Sequence, residues 1–109
     1  METLILNNEE RKAIIYLLNI RLKRIPIEFP KWTENSKSWK NEYYYPILTT
    51  RGKLEKGKSN FKNIEIGIML SCVNEYSPVE HFVDDITGFE NTKFKEPFKS
   101  IYKKIKFFY

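Results

Sequence analysis

Apolar residues near the start of the chain follow the spacing of an amphipathic helix. They recur every three or four positions from Ile14 onward, and Pro26 interrupts the pattern because it removes a helical hydrogen bond. Before them, Asn7 and Glu10 have the spacing of a capping box, in which each side chain accepts the backbone N–H of the other residue. The pattern predicts a helix over residues 8–24.

Two more helices are predicted in the second half of the chain. Ser77, followed by proline and three residues later by Glu80, is typical of a helix start, and Gly88 is typical of a helix end. These signals predict a helix over 78–87, and a further apolar stripe predicts one over 97–107. The last stripe has four members: Phe98, Ile101, Ile105 and Phe108.

Two segments between these helices have the composition of β-strands. Tyr43–Thr50 is rich in aromatic and β-branched residues, and Asn63–Val73 alternates with a period of two. We therefore expect an α+β fold: a small single domain over 1–109 with three helices and a small antiparallel sheet. Both faces of the second segment are apolar, as in a buried helix, so an all-α fold is the alternative if 61–76 is helical.

The composition is that of an intracellular soluble protein. With 109 residues, of which 41% are hydrophobic and 30% charged, the chain can form one core but not two. The longest uncharged run, Ile66 to Asn74, is too short to cross a bilayer, and the acidic start is unlike a signal peptide. The single cysteine, Cys72, excludes an internal disulfide and favours a reducing compartment. We therefore expect the cytoplasm of a bacterial host cell.

Residue usage indicates the kind of gene that encodes the chain. Alanine occurs once, whereas lysine, isoleucine, asparagine, tyrosine and phenylalanine are abundant. The abundant residues have AT-rich codons. This bias favours an origin in an AT-rich bacterium, a phage or another mobile element.

Charge is distributed unevenly along the chain, whose formal net charge is +5. Residues 63–92 contain six acidic residues and no lysine or arginine, whereas residues 93–109 contain six lysines and one glutamate. If this segregation persists in space, the molecule has a positive face and a negative face. The acidic segment then either binds a basic partner or pairs with the protein's own lysines.

Two basic segments are candidate surfaces for a partner or for nucleic acid. The first is an expected exposed loop or hairpin turn over 51–60, where lysines and flexible glycines could close on a phosphate backbone. The second is a lysine stripe on the predicted C-terminal helix, which is alternatively a core helix with a solvated outer face. The candidate residues are Arg51, Lys53, Lys56 and Lys58 in the loop, and Lys95, Lys99, Lys103 and Lys106 in the stripe.

Aromatic residues cluster over positions 29–45 and form a third candidate surface. Trp32, Trp39, Tyr43 and Tyr44 are interleaved with lysines and could stack on unpaired bases or anchor a protein interface. Glu34 and Glu42 in this region, with Glu28 just before it, cancel the local positive charge. The balance of charge favours a protein interface over a nucleic-acid groove.

No catalytic, cofactor-binding or metal-binding motif is recognisable in the sequence. His81 is the only histidine, and on the predicted helix it could reach Asp85, four residues away, or pair with Cys72. One histidine and one cysteine cannot supply the four ligands of a structural zinc site. We therefore expect no cofactor, no metal and no enzymatic activity.

These patterns lead to one functional hypothesis and two alternatives. The hypothesis is a small non-catalytic binding protein that acts stoichiometrically on a protein or protein–nucleic-acid partner. Its inferred origin suggests an inhibitor, encoded by a phage or mobile element, of a host nucleic-acid enzyme such as a CRISPR nuclease. The first alternative is a nucleic-acid-binding protein that uses the lysine stripe, and the second is a ribonuclease toxin that uses His81. No membrane partner is expected, and the oligomeric state stays open.

Overall fold

A computed structural model of the protein describes residues 1–28, 30, 40–76 and 95–106. The helix predicted over 78–87 lies outside the described residues. Within them the chain forms four α-helices: α1 (Asn8–Glu28), α2 (Tyr45–Glu55), α3 (Asn63–Tyr76) and α4 (Lys95–Ile105). The other elements are a π-helical segment, Lys40–Tyr44, and two short strands, β1 (Glu2–Thr3) and β2 (Asn60–Phe61).

The described part of the chain is mostly helical, with one small two-stranded antiparallel sheet. This architecture agrees with the predicted α+β class in a coarse sense, and it agrees equally with a mostly helical fold. The sheet does not use the predicted strands, because it is formed by β1 and β2. Beside it, the Leu4 N–H donates to the Ser59 carbonyl at 2.8 Å. The sheet therefore ties the start of the chain to the segment that leads into α3.

The first turn of α1 is stabilised by the capping box that the sequence predicts. The Asn7 N–H donates to Glu10 Oε1 and the Glu10 N–H donates to Asn7 Oδ1, both at 2.8 Å, so the capping box is confirmed. The predicted end at residue 24 is wrong, because α1 continues through Pro26 to Glu28. Pro26 lies in the last turn, where its missing N–H removes a single hydrogen bond and little helix follows.

The segment Tyr43–Thr50, predicted as a strand, is helical and belongs to the π-helical segment and α2. Pro46 lies in the first turn of α2, where its missing N–H needs no intrahelical partner. The Thr50 hydroxyl donates to the Pro46 carbonyl at 2.7 Å, so this β-branched residue satisfies its polar group within the helix. The proline that suggested a break is part of a helix start.

The segment 51–60, predicted as an exposed loop or hairpin turn, begins inside α2 and turns only after its last residue. Gly57 has a φ of 73°, and its N–H donates to the Leu54 carbonyl at 3.2 Å. The Lys58 N–H donates to the Lys53 carbonyl at 2.9 Å. This pair of bonds is a Schellman motif, in which a left-handed glycine ends a helix. Gly57 therefore serves as a helix cap.

The segment Asn63–Val73, also predicted as a strand, lies in α3. Almost every residue in it is apolar, so alternation along the sequence could not distinguish the two structures. Burial follows the helical period, and the buried residues are Glu65, Ile66, Ile68, Met69, Cys72 and Val73. The alternative interpretation, a helix within 61–76, is the correct one.

Helix α1 lies at the centre of the described part and packs against α2, α3 and α4. The apolar stripe of α4 faces the core as predicted, and Phe98, Ile101 and Ile105 are buried. The helix begins and ends two residues before the predicted bounds of 97–107. The C-terminal basic segment is thus a core helix along one face.

Two glutamates are buried against the core, and the first of them joins α1 to α4. Glu10, in the first turn of α1, accepts the capping-box N–H of Asn7. It also accepts hydrogen bonds from the Ser100 hydroxyl at 2.6 Å and the Lys104 ammonium at 2.7 Å. Ser100 and Lys104 are four residues apart on α4, so they lie on the same helix face.

Glu65 repeats this arrangement at the start of α3. It accepts the backbone N–H of Lys62 at 2.7 Å, the Thr49 hydroxyl at 2.9 Å and the Lys53 ammonium at 2.6 Å. Thr49 and Lys53 are again four residues apart, here on α2, so this carboxylate joins α3 to α2. We call the two groups glutamate clamps, and their side chains are Glu10–Ser100–Lys104 and Glu65–Thr49–Lys53.

Both clamps favour the ionised carboxylate. Burial is the largest single effect on the pKa of Glu10 and raises it, but the capping N–H and the two α4 side chains together outweigh burial. The pKa of Glu10 therefore lies below its ordinary value of 4.5. Burial likewise raises the pKa of Glu65, and its ammonium, N–H and hydroxyl donors lower it further than burial raises it.

The clamps predict that the fold loses stability in acid. Because the pKa of each carboxyl is lower in the folded chain than in the unfolded chain, the stabilisation is complete above 4.5 and is lost as pH falls through the folded value. The double variant Glu10→Gln and Glu65→Gln should lose about 2 kcal/mol per site at neutral pH. Its free energy of unfolding should also decline less between about pH 5 and about pH 3. Urea unfolding across this range measures both effects.

Glu9→Gln is the matched control, because Glu9 is the exposed neighbour of Glu10 in the same helical turn. The control should keep the acid-dependent decline of the wild-type protein. An equal flattening in the control, or an undiminished decline in the double variant, would show that the clamps do not cause the acid sensitivity.

Candidate functional site

The predicted basic loop is divided between the interior of the fold and its surface. Arg51 Nη1 donates to Asn19 Oδ1 at 2.9 Å, which ties α2 to α1. Lys53 belongs to the second glutamate clamp. Lys56 and Lys58 follow α2 and are exposed. Two of the four candidate cations thus hold helices together, and two are presented to solvent.

The predicted lysine stripe lies on the outer face of α4. Its exposed members are Lys99, Lys103 and Lys106. Lys95 is the first residue of α4, and its side chain is outside the described part of the structure. Lys104, which lies beside the stripe in the sequence, points inward to Glu10 and donates to the Ile5 carbonyl at 3.1 Å. The stripe is therefore narrower than the sequence suggests.

Two of the four candidate aromatic residues lie on the described surface. Tyr43 and Tyr44 belong to the π-helical segment, and each is 37% exposed. The Tyr44 ring packs edge-on against Tyr45, with ring centroids 5.6 Å apart. Trp32 and Trp39 lie outside the described residues. The described rings therefore lie at the protein surface, next to the start of α2.

Tyr43 borders an open groove that the sequence did not predict. The groove has a volume of about 470 Å³ and lies between α1, the π-helical segment and α3. Its principal lining residues are Arg21, Glu42, Tyr43, Ile64, Gly67 and Ser71. Gly67 lies about one helical turn from both Ile64 and Ser71 and presents no side chain to the groove.

The groove combines apolar surface with a fixed polar group. Ile64 is 47% exposed, whereas Ile68, one turn further along the same helix, is buried. Arg21 Nη2 donates to Ser71 Oγ at 2.8 Å, and this bond holds the guanidinium at the wall of the groove. Glu42 adds a negative charge to the lining. Such a surface can take an apolar side chain of a partner and orient polar groups around it.

Part of the groove could have been found from the sequence, and part could not. If 63–76 is treated as a helix, Ile64 falls out of phase with the buried stripe and shares a face with Gly67 and Ser71. That signal was hidden by the strand interpretation. Arg21 gives no sequence signal, because its contact with Ser71 joins residues that are 50 positions apart.

The candidate catalytic residues lie only partly within the described ranges. No group of three His, Cys, Asp or Glu side chains among them could hold a metal ion. Cys72 is fully buried, and His81 lies outside the described ranges. Glu65 pairs with the protein's own Lys53, which is the internal pairing considered for the acidic segment. No helix in the described ranges has the length and apolar character needed to cross a membrane.

Comparisons with known proteins assign no function to the chain. No protein-family model, curated protein or solved structure matches it.

Lys53 and Lys58 should separate the structural and exposed parts of the basic segment. Lys53→Met leaves a buried carboxylate without its ammonium and should lower the free energy of unfolding by about 3 kcal/mol. Lys58→Met removes the same charge from an exposed site and should change that free energy by less than about 0.5 kcal/mol. Urea unfolding of the two variants measures the difference. Equal losses would exclude a special structural role for Lys53.

Proposed function

We propose that the protein is a small non-catalytic binding protein that occupies a protein or nucleoprotein partner in a one-to-one complex. The observation that carries this proposal is the groove, in which exposed Ile64 and Tyr43 lie near the hydrogen-bonded Arg21. Tyrosine and arginine are residue types that concentrate binding energy at protein interfaces. Their position around an exposed isoleucine supports the docking of a complementary protein surface.

The partner we propose is a host nucleic-acid enzyme, such as a CRISPR nuclease, which the protein inhibits by occupancy. The AT-rich residue usage supports a phage or mobile-element gene, and inhibition by occupancy requires no catalytic group. The net charge of +5 supports a partner with an acidic surface or bound nucleic acid. The bacterial cytoplasm is the proposed place of action.

The groove favours a protein partner over nucleic acid as the ligand of this site. Glu42 lines the groove, where its negative charge would oppose a phosphate. Arg51 and Lys53, two of the cations predicted to close on a backbone, are engaged with other helices. The ribonuclease alternative predicts growth arrest on expression, relieved by His81→Ala, and unaffected growth would exclude it.

The proposal predicts saturable inhibition of a guide-RNA-directed nuclease. Added in increasing amounts, the purified protein should abolish cleavage of target DNA at about one equivalent, because each molecule occupies one enzyme. Size-exclusion chromatography with light scattering should give the mass of a one-to-one complex. Undiminished cleavage at large excess, with the two proteins eluting separately, would contradict the proposed partner.

The groove predicts which variant loses the complex. Ile64→Asp places a charge at the apolar part of the groove and should raise the Kd about 30-fold or more, which corresponds to a hot-spot loss of about 2 kcal/mol. Ile27→Asp is the matched control, because Ile27 is an exposed isoleucine of α1 that does not line the groove. Calorimetric titration of both variants measures the difference. Equal losses would exclude the groove as the interface.

A further inference from the structure

The outer face of α4 is a second surface, separate from the groove, and it carries positive charge around an exposed aromatic ring. Helical spacing places three exposed residues on this side of the helix, Lys99, Tyr102 and Lys103, and exposed Lys106 follows directly after α4. Tyr102 is 46% exposed, although the opposite side of the same helix is fully packed into the core. The face therefore consists of a ring flanked by ammonium groups.

The positive charges of Lys99 and Lys103 are weakly compensated by the described residues around them. Glu96 Oε1 lies 3.9 Å from Lys99 Nζ, and both side chains are strongly exposed, so their attraction is screened by water and salt. Lys103 forms no ion pair within the described part of the chain. Glu10, which could have offset the stripe, is instead buried and paired with Lys104. In the first glutamate clamp, the negative charge of Glu10 therefore compensates Lys104 and not the exposed lysines of the stripe.

We propose that this face of α4 binds single-stranded nucleic acid. Lys99 and Lys103 are separated by four helical residues, or about 6 Å along the axis, so their ammonium groups can contact neighbouring phosphates of one strand. Tyr102 lies one helical turn from Lys99, on the same side of the helix, and stacks on an unpaired base. Aromatic stacking between phosphate contacts is the usual way in which proteins bind single strands without reading sequence.

Tyr102 is the observation that favours a single strand over an acidic protein or a duplex. A protein surface rich in carboxylates would satisfy the lysines but would give the exposed ring no flat partner. A duplex would present phosphates while its bases stay stacked on one another. This proposal goes beyond the proposed function, because it assigns a second ligand to a second surface and does not depend on the groove.

The test is a fluorescence-anisotropy titration of the full chain with labelled single-stranded RNA and DNA at a series of salt concentrations. The wild-type protein should bind both strands, with log K falling against log salt with a slope of about −1.4 to −2.1 for two to three phosphate contacts. A duplex of the same sequence should bind more weakly, and unlabelled polyglutamate should not compete. No binding to single strands at low salt, equal or tighter binding to duplex, or effective competition by polyglutamate would each overturn the proposal.

Two kinds of substitution separate the phosphate contacts from the stacking contact. Lys99→Glu with Lys103→Glu should raise the Kd at least tenfold and bring the salt slope closer to zero by about 1.4, the change expected for two lost phosphate contacts. Tyr102→Ala should raise the Kd about fivefold or more with an unchanged slope, because stacking releases no counterions. An altered slope in the tyrosine variant would overturn its assignment to stacking.

The matched control is Lys12→Glu with Lys23→Glu, which makes the same charge change at exposed positions of α1. The control should retain most of the binding. An equal loss in the control would show that binding depends only on net charge, and it would exclude the outer face of α4 as the binding site. Thermal unfolding checks that each variant folds, and Lys99→Gln with Lys103→Gln replaces the glutamate pair if that pair does not. Ile64→Asp should bind nucleic acid as the wild type does, so failure of this surface and failure of the groove can be told apart.

Discussion

The two glutamate clamps constrain how two pairs of the described helices are placed, α4 against α1 and α2 against α3. Each clamp requires three donors at one buried carboxylate: a backbone N–H of its own helix start, and a hydroxyl and an ammonium spaced four residues apart on another helix. A buried carboxylate is strongly destabilising when its donors are missing, so a one-turn slip of either helix would be penalised. Hydrophobic packing tolerates such slips more readily. We infer that the clamps select one register of α4 on α1 and of α2 on α3.

Local sequence signals were sufficient to predict the first and the last described helix, α1 and α4, but not the two helices between them. The capping box of α1 and the apolar stripe of α4 involve residues within a few positions of each other, and both were predictable. Helices α2 and α3 differ from the predicted strands because Pro46 resembles a break and because the apolar residues of α3 also happen to alternate with a period of two. The hydrogen bond from Ser100 to Glu10 joins residues 90 positions apart, so no local sequence pattern can predict it. Tertiary contacts therefore decided the structure wherever the local pattern was ambiguous.

The candidate surfaces were predictable as residue types rather than as arrangements. Tyr43 and the α4 lysines do lie on the surface, as a polar or aromatic residue outside an apolar stripe should. Lys103 and Lys104 are adjacent in the sequence, yet one faces solvent and the other reaches a buried carboxylate. The net charge of a segment cannot distinguish an exposed lysine from a paired one, because the difference depends on where the neighbouring helix places its carboxylate. The groove was missed for the same reason, since it exists only once α1 and α3 are packed together.

Burial of Cys72 on α3 has a practical consequence. It is the only thiol in the chain and is inaccessible in the folded protein, so a bulky thiol reagent can reach it only when α3 separates from its neighbours. The rate of labelling under native conditions is then a direct measure of that local opening, with no substitution needed. Helix α3 also forms one wall of the groove, so a ligand that docks there would slow the labelling. The protein thus carries an internal reporter of occupancy in its natural sequence.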